Sequence, residues 1–295
     1  MNIPATVFER LGCDIATGFP MSSYTSIRVG GRAGLVVFPR SHGALLGALE
    51  ALTARGVPFE VLGGGTNTIV RDEDLPCAVV STSLLKGFDI SPDGSVFARC
   101  GAPLAAVMNG AARRGLCGLE FAAGIPGTVG GAVYMNAGTD AGETSDVLES
   151  VSLWADGRER ELDARELDSR YRNGGVPPGA VLLSARLRLA PGDPARIRAA
   201  IRERLASRKA TQPVCEANTG SVFKNPASVP AGRLLEELGM KSVSSGGAQF
   251  SEVHANFIVN KGGARASDVL KLIGIARERA RTERGIVLET EVCVI

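Results

Sequence analysis

The sequence predicts a mixed α/β protein of two or three domains, and three observations lead there. Apolar runs of strand character alternate with stretches of helical spacing along the whole chain. Glycine is abundant, with 37 copies, many of them clustered in pairs and triplets directly beside apolar strands. The length, 295 residues, exceeds what one compact core usually accommodates.

The elements follow in order. Residues 35–38 read as a buried strand. Residues 41–55 read as a helix carrying Leu45, Leu46, Leu49 and Leu52 at helical spacing, with Gly56 as its stop. Residues 58–62 form the next strand and complete a strand–helix–strand unit. That strand runs into Gly63-Gly64-Gly65-Thr66-Asn67, at the carboxyl end where α/β sheets bind ligands. Short strands are expected at 77–82, 88–90 and 96–100, then a helix over 104–114 stopped by Gly115. A second glycine-rich stretch follows, Gly124-Ile125-Pro126-Gly127-Thr128-Val129-Gly130-Gly131-Ala132. Strands return at 151–154 and 180–189, and Pro194 opens a basic helix to Lys209. The last third holds a strand at 221–223, a helix over 230–238 stopped by Gly239, and a strand at 257–259. Ser267 is expected to cap a long helix with Val269, Leu270, Leu272, Ile273 and Ile275, ended by Gly285, before a final strand at 286–295. Breaks near 80 and 210 divide the chain into 1–80, 81–210 and 211–285, with the last strand returning to the first part.

Composition excludes several classes. A formal net charge of +2 gives no field for nucleic acid or a membrane surface. The cations of the 194–209 helix are spread around it, Glu203 interrupts them, and no aromatic platform accompanies them. No apolar stretch approaches the ~20 residues of a membrane span. The N-terminal Met1-Asn2-Ile3-Pro4 opens no basic-then-apolar leader, so a cytoplasmic protein is expected. The six cysteines are scattered and only His42 and His254 accompany them, so no metal site is expected and the thiols are read as reduced.

Two glycine-rich loops in one chain point to a large phosphate-bearing ligand, because glycine permits positive φ and removes the Cβ that blocks approach. Taken alone, Gly63-Gly64-Gly65 reads equally well as a tight turn. Neither is a Gly-x-Gly-x-x-Gly or P-loop motif, which disfavours a Rossmann site and an ATPase. Gly220-Ser221-Val222-Phe223-Lys224-Asn225-Pro226 is either a turn with Asn-Pro punctuation or a strand. As a strand, alternation puts Ser221, Phe223 and Asn225 on one face. Arg170-Tyr171-Arg172 is either a solvated turn or a source of an oxyanion-stabilising fork. Glu289 and Glu291 project from one face of the last strand, and His254 reads first as a structural histidine.

Read together, in this order and spacing, these segments resemble the UDP-N-acetylenolpyruvoylglucosamine reductase family. The resemblance runs from Thr25-Ser26-Ile27-Arg28-Val29-Gly30-Gly31 through both glycine loops, Tyr171-Arg172, the 220–226 motif and His254-Ala255-Asn256-Phe257 to Leu288-Glu289-Thr290-Glu291-Val292. It implies a two-part FAD-binding region of the vanillyl-alcohol-oxidase type plus a C-terminal α+β substrate-binding domain. FAD, held noncovalently, would lie on Gly63, Gly64, Gly65, Thr66 and Asn67 and on Gly124, Ile125, Pro126, Gly127, Thr128, Gly130, Gly131 and Ala132. Arg172 would stabilise an enolate, Ser221 would deliver the proton, and Glu291 would assist at the same centre. Tyr171, Asn225, Lys241 and His254 would contact the UDP-sugar, and NADPH would be the reductant. The resemblance implies a role in bacterial wall-precursor synthesis; a monomer is the default expectation. The alternatives are another flavin oxidase or dehydrogenase of the same fold acting on a small alcohol or sugar, and a catalytically idle UDP-sugar-binding protein. Two departures stand out: Gly174 occupies a position commonly serine in the family, and the insert of one branch is absent between Tyr171 and Gln212, so the chain resembles the shorter branch. Cys117, just before the second loop, leaves a thiol tether open.

Overall fold

The computed structural model describes residues 3–295; Met1 and Asn2 lie outside the described residues. The chain divides into two units. The first comprises the residues up to Thr17, Leu35–Gly64 and Cys77–Ala206; the second comprises Gly18–Gly34, Gly65–Pro76 and Ser207–Ile295. Among the described residues, no helix is long and apolar enough to cross a membrane.

A four-stranded sheet runs in the order Cys13–Pro20, Arg32–Pro39, Ala78–Ser81, Phe59–Leu62. Ala78–Ser81 pairs in parallel with both of its neighbours. The two strands of the expected strand–helix–strand unit are therefore not adjacent, because a later strand lies between them. Helix His42–Thr53 connects them, with Ser41 Oγ accepting the Ala44 N–H at 3.1 Å. Leu45, Leu49 and Leu52 are fully buried on one face, as the spacing requires.

The first unit also holds a five-stranded antiparallel sheet, Arg158–Asp163, Leu148–Ala155, Val181–Arg188, Ser95–Arg99, Phe88–Ile90. Helices Leu104–Arg113 and Val129–Tyr134 contribute Leu104, Val107, Val129 and Val133 to its core. Helix Pro194–Thr211 buries Ile197 and Ile201, one turn apart, and leaves most of its other residues exposed.

The second unit is built on a four-stranded antiparallel sheet, Ala217–Ser221, Phe257–Asn260, Ala248–Phe250, Ser244–Ser245. Helix Ala266–Arg284 buries Val269, Leu272, Ile273, Ala276 and Ala280, and Gly285 closes it in the left-handed conformation, φ 66°. Its beginning departs from expectation. The first helical residue is Ala266, so Ser267 lies inside the helix. The capping acceptor is Asp72, 194 residues earlier, whose two carboxylate oxygens accept the N–H groups of Ala266 (2.7 Å) and Ser267 (3.0 Å).

Burial pushes the Asp72 carboxyl up, but the bonds from Ser267 and Ala266 and the charge of Arg265 outweigh it and hold it below the ordinary 3.8. A folded-state value below the unfolded one stabilises the native state above pH 3.8, and the contribution fades as pH falls through the folded value. Asp72→Ala should cost about 1 kcal/mol at neutral pH, and the difference from wild type should shrink in unfolding titrations taken to strongly acidic pH. An unchanged difference would remove the carboxylate from the account.

The terminal segment is strand only at Cys293–Val294, parallel to Thr68–Ile69. The expected strand over 286–295 is thus corrected. Residues 289–291 make only an isolated bridge, Phe223 with Thr290, flanked by Lys224 N–H to Glu289 O (2.9 Å) and Glu291 N–H to Val222 O (2.8 Å). One bridge is too little for a ladder, so Val287 is left exposed while Leu288 and Val292 enter the core.

Candidate active site

The two glycine loops have backbone positions that no side chain fits. A Cβ on Gly63 would lie 2.6 Å from Thr128 Oγ1, so the start of the first loop rests directly on the second. Thr128 caps helix Val129–Tyr134, its Oγ1 accepting the Gly131 N–H at 3.2 Å. Gly124 and Gly127 take φ of 78° and 118°, and Gly65 takes 63° with Tyr24 O 2.8 Å from where its Cβ would stand. Not every N–H in the second loop faces outward: Gly130 donates to Cys100 O at 2.8 Å and Ala132 to Thr128 O at 2.9 Å. Asn67 donates from Nδ2 to Glu291 O at 3.0 Å, and its carbonyl accepts the Cys293 N–H at 2.9 Å. The first loop thereby receives the C-terminal segment. Cys117 Sγ donates to Ala190 O at 3.2 Å. Burial raises the thiols of Cys100 to about 12 and Cys13 to about 11, so neither is nucleophilic at neutral pH.

Arg172 stands in a tight turn closed by reciprocal bonds, Arg170 N–H to Asn173 O (2.7 Å) and Asn173 N–H to Arg170 O (2.9 Å). It is the third residue of that turn and takes φ 55°, a place that normally goes to glycine or asparagine. An arginine there costs about 1 kcal/mol or more of backbone strain. Its guanidinium lies 4.7 Å from the Tyr171 ring centroid, and Nη2 donates to Gly138 O at 3.0 Å. Gly174 N–H bonds Tyr134 O at 2.9 Å, and a Cβ on Gly174 would sit 1.8 Å from Val133 O. That contact leaves no room for a side chain at 174 without a backbone shift.

In the second unit, strand Ala217–Ser221 ends at Ser221, and one extra residue bulges between Asn218 and Ser221 where Gly220 takes φ 77°. Strand alternation therefore does not extend to Asn225. Val222 and Phe223 are both fully buried. Beyond the strand the segment is held by Asn256, 3% exposed, which accepts the Phe223 N–H at Oδ1 (3.0 Å) and donates from Nδ2 to Phe223 O (2.8 Å). Before the strand's end, Asn218 Oδ1 accepts the Gly220 N–H at 2.8 Å. Ser221 is thus left half-buried between two asparagine-held peptides, with the Glu291 backbone bonded to Val222 beside it. Glu289 turns outward to pair with Lys224 at 3.4 Å. The Thr219 hydroxyl is buried with no hydrogen-bond partner among the described residues.

Asn225, Lys241 and His254 surround helix Ala231–Glu237. Asn225 Oδ1 accepts the Ala231 N–H at 2.9 Å, which supplies the cap that Pro230 lacks. Lys241 Nζ pairs with Glu236 at 2.6 Å. The His254 Nδ1 accepts the Asn256 N–H at 3.1 Å, so the neutral ring carries its proton on Nε2. A Cβ on Gly232 would stand 2.6 Å from His254 Cε1, so the helix packs directly on the ring. Burial first, then the charge of Lys241, hold His254 below 6.5, against an opposing pull from Glu236. Its NMR titration midpoint should fall below 6.5, and native stability should drop as pH falls from 6.5 toward that midpoint. A midpoint at or above 6.5 would place a compensating anion there.

Comparison with known proteins gives the family. The chain is 39% identical over 293 residues to a UDP-N-acetylenolpyruvoylglucosamine reductase of Syntrophotalea carbinolica, covering 99% of this chain and 98% of that one. The chain belongs to the UDP-N-acetylenolpyruvoylglucosamine reductase family. A reductase of Anaeromyxobacter dehalogenans is 43% identical over 273 residues, 92% of this chain and 83% of that one. Residues 212–295 match the reductase C-terminal domain, and residues 33–163 match an FAD binding domain. The structure is similar to the crystal structure of the Thermus caldophilus reductase, with TM-score 0.82 and 35% identity over 96% of this chain and 98% of that one. The expected fold class, an FAD-binding region with a C-terminal reductase domain, is that of the family.

Three asparagines of this reductase fold escaped the sequence reading: Asn136, Asn218 and Asn256. Each holds backbone next to a candidate residue. The available signal was the motif context, Asn136 after the second loop, Asn218 just before the serine motif and Asn256 within the histidine motif, but a buried amide's partners are not local in sequence.

Proposed function

We propose that this protein reduces the enolpyruvyl group of UDP-N-acetylglucosamine enolpyruvate to UDP-N-acetylmuramate, with FAD as noncovalent cofactor and NADPH as reductant. The observation that carries this reading is the likeness to named reductases over essentially the whole chain. When bound, FAD would supply hydride chemistry between NADPH and the enolpyruvyl double bond. Residues 63–67 and 124–132 would hold it; loop backbone with positive φ at Gly124 and Gly127 and no space for a Cβ at Gly63 suits a diphosphate.

The protein's residues then act on the substrate. Hydride arrival leaves negative charge on the α-carbon and carboxylate, and the fixed cation of Arg172 lowers the energy of that enolate. Ser221 delivers the proton to the α-carbon, and Glu291 assists. Serine is a weak acid in water, so its placement in a held backbone is what makes it a donor. Tyr171, Asn225, Lys241 and the Nε2–H of His254 bind the UDP-sugar. Residues 1–80 and 81–210 serve as the two FAD-binding parts and 211–285 as the substrate-binding part, which the match beginning at residue 212 supports. The protein works as a cytoplasmic monomer in wall-precursor synthesis.

A single-turnover experiment tests this. The FAD-loaded protein is reduced by NADPH without oxygen, and the enolpyruvyl substrate is added. Prompt return of the oxidised flavin spectrum is expected. A flavin that stays reduced rejects the reading.

A further inference from the structure

We propose that Asn136 is a positioning residue for Arg172, fastening the strained turn that presents the guanidinium. The inference rests on the enolate-stabilising role proposed above for Arg172. Asn136 is 1% exposed and takes φ 43°, a left-handed conformation that a side chain adopts at a cost. Its amide is fully used. Nδ2 donates to Arg170 O at 3.1 Å and to Glu143 Oε1 at 2.8 Å, while Oδ1 accepts the Ser145 N–H at 2.9 Å.

Arg170 opens the turn, and its carbonyl also receives the Asn173 N–H. The Asn136 bond thus fixes the plane of the peptide from which the turn departs. Two neighbouring contacts complete the fastening on the same stretch of chain. Gly174 N–H bonds Tyr134 O, and Arg172 Nη2 bonds Gly138 O, so residues 134, 136 and 138 grip the turn after, before and at the arginine. Glu143 Oε1 takes a second bond from Ser145 Oγ at 3.0 Å, which holds the carboxylate that Asn136 leans on. Helix Val129–Tyr134, which begins at the second glycine loop, therefore sets where Arg172 stands. A left-handed turn with a charged residue at its third position is not self-stabilising, and a fixed cation lowers a transition state only while it is held in place.

Asn136→Gly is the sharpest test, because glycine accepts φ 43° and the variant removes the amide without straining the backbone. Asn136→Asp keeps the acceptor for Ser145 N–H and places a carboxylate oxygen against Arg170 O. In the FAD-loaded protein, Asn136→Gly should slow flavin reoxidation by the enolpyruvyl substrate about tenfold or more, with little change in flavin reduction by NADPH. Asn136→Asp should do the same. In an Arg172→Ala background, adding Asn136→Gly should change the reoxidation rate less than about twofold, since nothing remains to position. Amide exchange of residues 169–174 should accelerate in Asn136→Gly, a readout independent of turnover. Wild-type reoxidation in Asn136→Gly, full additivity with Arg172→Ala, or equal slowing of both half-reactions would each overturn the inference. If Arg172→Ala itself reoxidises normally, the role of Arg172 fails instead.

Discussion

Ser221→Ala should slow reoxidation of the reduced flavin by the enolpyruvyl substrate by about 10²–10⁴-fold, the usual worth of a positioned general acid. Reduction by NADPH should survive, because no proton reaches the substrate in that half-reaction. The split is the point of the measurement. The variant should fold normally. Ser221 contributes register to strand Phe257–Asn260 through its backbone, and the adjoining segment is anchored by the buried Val222 and Phe223 and by the Asn256 amide. Losing a half-buried hydroxyl leaves all of these in place, so stability should move by no more than about 0.5 kcal/mol. Ser221→Cys keeps a transferable proton on a more acidic atom and should recover part of the rate. Equal loss in both half-reactions of Ser221→Ala would make the serine structural.

Arg172→Ala should lower the same step by about 10²–10³-fold, the cost of removing one donor from a developing oxyanion. Arg172→Lys keeps the charge but not the planar fork, and should lie between. The turn adds a second, independent signature. Alanine keeps the left-handed strain of φ 55°, whereas glycine relieves it, so Arg172→Gly should be more stable than Arg172→Ala by about 1 kcal/mol while being no more active. Thermal or denaturant unfolding of the two variants, set beside stopped-flow reoxidation, checks both halves. If alanine and glycine are equally stable, the strain is absent. If either reoxidises at the wild-type rate, Arg172 is not the enolate's partner.

Much of the fold was legible because its signals are local. Helical spacing at Leu45, Leu49 and Leu52 and the stop at Gly285 both operate within a turn or two of chain, and both hold in the structure. The long helix shows where locality ends. Ser267 looked like its cap, but the acceptor is Asp72, brought from 194 residues away by the second unit's packing. Likewise the strand–helix–strand unit was visible, but not that Ala78–Ser81 would lie between its strands. The 220–226 motif announced its chemistry and misled about its shape, because one bulge at Gly220 ends the alternation on which a facing argument depends.

The sequence by itself determined the elements, the two glycine loops and the order of motifs that marks the family. Those are written in residue type and spacing, and the backbone rules they obey span only a few residues. Only the tertiary structure decided that Gly63 rests against Thr128, that Arg172 stands in a left-handed turn, and that Asn136, Asn218 and Asn256 are the amides holding backbone beside the candidate residues. An asparagine side chain has donors and an acceptor in every sequence. Which peptide they meet is set by long-range packing, which closes distances that no local propensity encodes.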